Sequence, residues 1–222
     1  MIRSCAMIAA LLAVLSPAAP GHMRAQVGSL VDLVQRSERI LVGRPQPTGR
    51  AESGDSKYTV RVDVTLLGEA SSESFEIVSR ASFEPGVRQV FFLARTSPTL
   101  AGGGGTPAPQ PRWHSLQKPG SVYPAATPDD GAYRAVVQAA RAAADQPDDK
   151  AIAALRAALI PALQAKAESL RYHATLDLLA TIHREHPLTP EERERLATVV
   201  HAPAFDAQLR PLLEPHLAAR PR

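Results

Sequence analysis

The apolar positions along this chain follow a helical spacing, then a strand spacing, then a helical one again. In "SLVDLVQR", Leu30, Leu33 and Val34 share one face of a helix, and Ser29 can cap it with Asp32 at the third position. The run "RILVGRP", Arg39 to Pro45, leaves no room for a second helix, is rich in branched residues and stops at a proline, which predicts a strand. "QPTGRAESGDS", Gln46 to Ser56, is built of turn-formers and charges and reads as a solvated loop. In "KYTVRVDVTLLG", Tyr58, Val60, Val62, Val64 and Leu66 alternate with polar residues, so all five are expected to point together into one sheet interior.

After a turn at Gly68 to Glu73, "SFEIVSR" predicts a third strand and "RQVFFLAR" a fourth, with "EPG" turning the chain between them. Val90 to Leu93 is continuously apolar, so the fourth strand is expected to pack on both faces, one toward the sheet's core and one beneath the opening helix. "TSPTLAGGGGTPAPQP", Thr96 to Pro111, carries too little apolar surface to offset its chain entropy and predicts a flexible excursion. "RWHSLQ" and "SVYP" supply one or two last short strands, with Trp113 and Tyr123 closing the core.

From Pro128 onward alanine, leucine and arginine dominate, and helices are expected at Pro128 to Ala144, Asp148 to Leu159, Pro161 to His186, Pro190 to Val200 and Ala204 to Ala218. Thr189, Pro190 and Glu192 form the best-marked start, a capping box with proline at the first helical position. Pro161 either begins its helix or kinks a longer one, and Pro211 and Pro215 must bend or break the last. The fold class is therefore α+β: a small curled sheet over residues 26–126 with one covering N-terminal helix, then an α-helical region over 127–222, HEAT-like or a bundle.

The N-terminus adds a compartment. In "MIRSCAMIAALLAVLSPAAPGHMRA", Arg3 precedes an apolar run from Cys5 to Leu15, followed by small residues and proline, the layout of a secretory signal over residues 1–25 with cleavage after Gly21 or Ala25. The run is too short for a hydrocarbon core of about 30 Å, which takes roughly 20 residues, so no stable transmembrane anchor is expected. Cys5 is the only cysteine, so the exported chain would hold neither disulfide nor thiol nucleophile. The net charge of +3 also shrinks: without Arg3 and Arg24 the remaining Lys and Arg exceed the 22 Asp and Glu by one. Cations are scattered among acids rather than clustered, which argues against a nucleic-acid partner.

The order of elements, helix, "RILVGRP", the long alternating strand ending in "LLG", "SFEIVSR" and "EPGVRQVFFLAR", resembles the small oligonucleotide-binding-type barrel of the tissue-inhibitor-of-metalloproteinase (TIMP) and netrin-like group, as found in exported bacterial proteins. The likeness covers Ser29 to Arg95. It implies that the sheet of residues 26–126 closes into a small antiparallel OB-like β-barrel, and it implies export. The inhibitors of that group chelate a protease's zinc through an N-terminal cysteine and pin the barrel with disulfides, and a mature chain without cysteine departs from both, so protease inhibition is not implied.

Chemical candidates are sparse. "IHREHP" sets His183 and His186 three apart near a helix end, a spacing that could hold a metal with a third ligand from His173, His201 or an acid; it is not the H-E-x-x-H arrangement, and a core-edge histidine is the simpler reading. No G-x-S-x-G elbow occurs, and His114, Ser115, Lys118 and Ser121 in "HSLQKPGS" read more simply as a hairpin turned at Pro119-Gly120. Gly102 to Gly105 lacks the lysine and strand-to-helix context of a phosphate loop. Asp129-Asp130, Asp148-Asp149 and Glu191-Glu192 sit where helices begin, where the dipole explains them. Trp113, His114 and Tyr123 are the candidate ligand-binding residues. The sequence thus points to an exported, non-enzymatic binding or scaffolding protein, with no cofactor and with a protein or envelope ligand as partner. The competing expectations are a metal-dependent hydrolase using His183 and His186, and a helical adaptor for an envelope protein.

Overall fold

The computed structural model describes residues 29–69, 74–96, 112–117, 123–125, 127–182 and 185–218. The signal segment, the Thr96 to Pro111 excursion beyond Thr96, the turn at Pro119-Gly120 and His183 lie outside them. Helix α1 (Leu30–Arg36) is followed by strands β1 (Arg39–Arg50), β2 (Ser56–Leu67), β3 (Ser74–Ser79), β4 (Gln89–Thr96) and β5 (Arg112–Ser115). Helices α2 (Asp130–Ala143), α3 (Asp148–Ala162), α4 (Glu168–Thr181), α5 (Pro190–Val200) and α6 (Arg210–Leu213) complete the chain. The strands close into a barrel in the order β1-β2-β3-β5-β4, the small OB-like barrel expected, with five strands and with the expected antiparallel pairing corrected at one seam. Its pairings are antiparallel except β3 with β5, which run parallel at Val78 and His114, so the barrel is mixed.

The first strand corrects the predicted loop at Gln46 to Ser56. β1 runs on to Arg50 and pairs there with Ser56, turning at Ala51 to Asp55, where Gly54 takes a positive φ of 84°. A register shift between Pro47 and Gly49 accommodates a proline that cannot donate to the ladder. Residues 46–50 are exposed, so the polar composition that looked like a loop is that of a solvated hairpin arm.

β2 corrects the expectation of one shared interior. Gly43 stands opposite Val62 and Val42 opposite Val64, so Asp63 is an extra residue; Ile40 stands opposite Leu67 and Leu41 opposite Thr65, so Leu66 is another. Such bulges reverse the side-chain alternation. Tyr58, Val60 and Val62 consequently join the barrel interior with Leu41, Ile77, Phe91 and Leu93. Val64 and Leu66 face outward, into a second cluster formed with Ile40, Val42, Val90, Phe92, α1 and the helical layer. β4 serves both clusters as expected, with Phe91 and Leu93 inside the barrel and Val90 and Phe92 toward α1.

Buried polar contacts join barrel and helices. Ser29 caps α1 by accepting from the Asp32 amide at 2.9 Å, and Asp177 on α4 accepts from the Val31 amide at 3.0 Å, so the first turn of α1 is capped from within and from 146 residues away. Arg88, just before β4, binds both oxygens of Asp130 at 2.9 and 2.7 Å, the bulged Asp63 at 3.0 Å and the Ala125 carbonyl at 3.0 Å. Its pKa is raised, first by the hydrogen bonds to Asp130.

The predicted helix from Pro161 to His186 is divided. α3 continues through Pro161 to Ala162, with the proline exposed in its last turn. The chain then turns, its Lys166 and Ala167 amides held by Asp129 at 2.8 Å each, and α4 starts at Glu168. α4 stops at Thr181 because the buried Arg156 guanidinium takes the Thr181 carbonyl, together with those of His186 and Pro187 and the Glu192 carboxylate. Pro190 to Val200 is helical as expected, with its capping box formed. Ala204 to Ala218 is reduced to α6 and a short 3-10 turn, Glu214–His216, interrupted at its prolines.

Two predictions follow from this framework. A Cβ at Gly43 would lie 2.4 Å from the Arg61 carbonyl oxygen and 2.7 Å from Val60 Cγ1. Gly43→Ala is expected to lower the unfolding free energy by about 3 kcal/mol, whereas Gly131→Ala, in open space on α2, should raise it by about 0.5–1 kcal/mol; urea denaturation measures both. Burial pushes the Asp177 carboxyl up to about 6, against the hydrogen bonds from Val31, Ser29 and Leu30. The folded chain therefore binds this proton more tightly than the unfolded one, and the associated stability is present in acid and lost as pH rises through about 6. Burial holds His173 below its ordinary value and acts in the opposite sense. The difference between parent and Asp177→Asn, compared at pH 5 and 7.5, isolates the carboxylate: on going to the higher pH, Asp177→Asn should gain about 1 kcal/mol on the parent.

Candidate functional site

The inward register of the barrel strands continues past its apolar residues at one rim. Arg95 follows Leu93 by two on β4, and Arg39 precedes Leu41 by two on β1, so period two places both cations in line with residues that fill the interior. Trp113 on β5 stands opposite Arg95, and Phe75 on β3 stands opposite Val60. The Phe75 and Trp113 rings, tilted with centroids 5.5 Å apart, close the interior against the cluster below. The Arg39 guanidinium lies 5.0 Å from each of these ring centroids, and that of Arg95 lies 4.8 Å from the indole. Two guanidiniums thus share the protein's only tryptophan.

Acidic partners of this rim are weak or engaged. The Arg39 side chain is 13% exposed, yet its ion pair is to Glu69 at 3.9 Å, a side chain 94% exposed. Glu38 accepts from the Arg95 backbone amide at 2.9 Å. Among the described residues neither guanidinium donates a hydrogen bond, and Arg95 forms no ion pair. Among the described residues the rim is therefore an aromatic floor carrying two charges whose N–H groups meet no hydrogen-bond acceptor.

Among the residues marked in the sequence, Trp113 is at the centre of this rim. His114 follows it and by alternation falls on the other face of β5, opposite Ala94 and Val78. Tyr123 is elsewhere: it is buried between barrel and helices, with ring centroids 5.2 Å from Phe92 and 4.8 Å from His173, and its hydroxyl is pushed up to about 12 by burial and then by Asp177. The structure brings Trp113 together with Phe75, Arg39 and Arg95, none of which composition or motif had marked. The signal for them was the period-two count carried one step beyond each apolar run.

Other constellations were weighed against this geometry. His186 directs Nδ1 to the Asp149 carboxylate at 3.0 Å while its carbonyl serves Arg156, and among the described residues no group of three His, Cys, Asp or Glu is set to hold a metal. Ser169, His173 and Asp177 recur at four-residue spacing on α4, but the Asp177 carboxylate is engaged by α1 and the buried His173 Nδ1 has no partner, so the three form no proton relay. A cavity of about 470 Å³ lies between α3 and α5, floored by Ala153, Ala157, Ile160 and Val199 and edged by Glu191 and Arg195, which pair with each other. No helix among the described residues is long and apolar enough to cross a membrane.

In comparisons with known proteins, no family model and no curated protein matches the chain.

The rim has a direct optical readout, since Trp113 is the sole indole. Removing the guanidinium that covers it and Phe75, with Arg39→Ala, should expose the ring and raise its acrylamide quenching constant about twofold or more with the fold retained. An unchanged constant would show that Arg39 does not shield it.

Proposed function

We propose that this chain is an exported, non-enzymatic binding or scaffolding protein that meets its ligand at the Arg39, Phe75, Arg95 and Trp113 rim. The observation that carries the reading is the arrangement of two guanidiniums on one indole at the end of a closed barrel, their N–H groups without an acceptor among the described residues. Such a surface has contact area, orientation and charge, and it rests on strands rather than on a mobile segment. The leader-like N-terminus supports a periplasmic or secreted location. The element order supports kinship with the TIMP and netrin-like barrels without their zinc-chelating cysteine. A protein or another envelope component is the partner class this reading names.

The helical layer has a mechanical part in it. It shares the outer cluster with α1, β1 and β4, so it stiffens the strands that carry Arg39 and Arg95. A rim held in this way loses little conformational freedom when a ligand docks.

The test compares the full-length mature chain with an Arg39→Ala, Trp113→Ala variant of confirmed fold, both immobilised and exposed to the same envelope extract, with retained components identified by mass. The expected result is a component held by the parent and depleted about tenfold or more on the variant. Equal retention on the two, or none on either, refutes binding at the rim.

A further inference from the structure

The ligand class can be drawn from the charges of the same rim, and this step rests on the rim being the binding site. Arg39 is largely withdrawn from water, packed against two rings, and its ion pair at 3.9 Å to an almost fully exposed Glu69 is too long for a charge-assisted hydrogen bond. Charges removed from water normally recover their solvation through a paired and hydrogen-bonded counter-ion. Arg156 of this chain illustrates the rule, buried and saturated by carboxylate, carbonyl and hydroxyl oxygens at 2.5–3.2 Å, and the part-buried Arg88 is held by carboxylate and carbonyl oxygens at 2.7–3.0 Å. Arg39 departs from it. Arg95 stands 4.8 Å from the centroid of the same indole without an ion pair among the described residues, so a second positive charge lies against the same ring. Glu38 is occupied by the Arg95 backbone amide.

We propose that the rim binds an oxyanion group, carboxylate or phosphate, held between the guanidiniums of Arg39 and Arg95 with the rest of the ligand resting on Trp113. Guanidinium forks fit the two oxygens of either group in one plane. The indole beneath them keeps the forks extended and supplies a flat apolar surface for whatever carries the anion. Arg44, Arg50 and Arg61 do not share this geometry: none of them lies over an aromatic ring.

The experiment is titration of the mature full-length chain, followed by Trp113 emission at constant ionic strength, with inorganic phosphate in one arm, malonate in a second and chloride as the reference. A saturable change with phosphate, malonate or both, absent with chloride, is the expected result, and the arm that responds at lower concentration separates a phosphate-bearing from a carboxylate-bearing ligand. Arg39→Gln and Arg95→Gln should each weaken it about tenfold or more, while Arg50→Gln on the exposed hairpin arm should leave it unchanged. Arg95 is exposed, so Arg95→Gln keeps the test valid should Arg39→Gln fail to fold. In the same apparatus, iodide should quench Trp113 severalfold better than caesium in the parent and no better in the double Gln variant. No response to either oxyanion, or one that survives in the double variant, overturns the proposal. Rim-dependent retention of an uncharged envelope component alongside that failure would leave binding at the rim standing, and loss of both would remove it.

Discussion

One extra residue in β2, Asp63, allows a single strand to feed two cores. Without it, Val62 and Val64 would lie on the same face, and the second half of β2 would be lost either to the barrel interior or to the helical layer. With it, Val62 closes the barrel while Val64 and Leu66 cover the helices. The residue that makes the bulge is also used: Asp63 binds Arg88, whose other donors hold Asp130 at the start of α2 and the Ala125 carbonyl. Backbone irregularity and polar clasp are thus one device. The tight approach of Gly43 to the Arg61 carbonyl beside the bulge belongs to it as well.

The join between barrel and helices holds buried carboxylates beside its apolar core. Asp177 is fully committed to the amides of α1, and Asp129 to those of the turn before α4. Each satisfies backbone donors that a helix start leaves open, and does so from a distant part of the sequence. A carboxylate in such a place opposes its own burial, which is why Asp177 holds its proton toward neutral pH. Those contacts define where α4 begins and how α1 sits over β4, so they fix orientation more than they add stability.

Local chemistry was legible wherever it was decided locally. The caps at Ser29 and Thr189 are pairs of residues three apart and were readable from spacing alone. The double-sided packing of β4 was readable from four apolar residues in succession. What the sequence concealed was set by partners far away. Neither end of α4 has a local marker: Asp129 and Arg156 supply them across separations of 25 to 38 residues. The bulges in β2 were hidden because an unbroken alternation of side chains looks the same whether or not the strand inserts a residue against its neighbour. The hairpin arm at residues 46–50 was concealed for a related reason, since a paired strand exposed to water has the composition of a loop.

The candidate site was half legible on the same grounds. Trp113 drew attention by its chemistry, but an indole does not announce which face of a barrel it will reach. Arg39 and Arg95 looked like ordinary solvated ends of apolar strands. Closure of the barrel changes what those ends mean: in an open sheet a cation beyond the last apolar residue turns to water, whereas in a closed one the inward register brings the cations from β1 and β4 over the same ring. The π-face of that indole stands in for only part of a counter-ion to each cation, and a ligand bearing negative oxygens is the complement that the proposed site calls for.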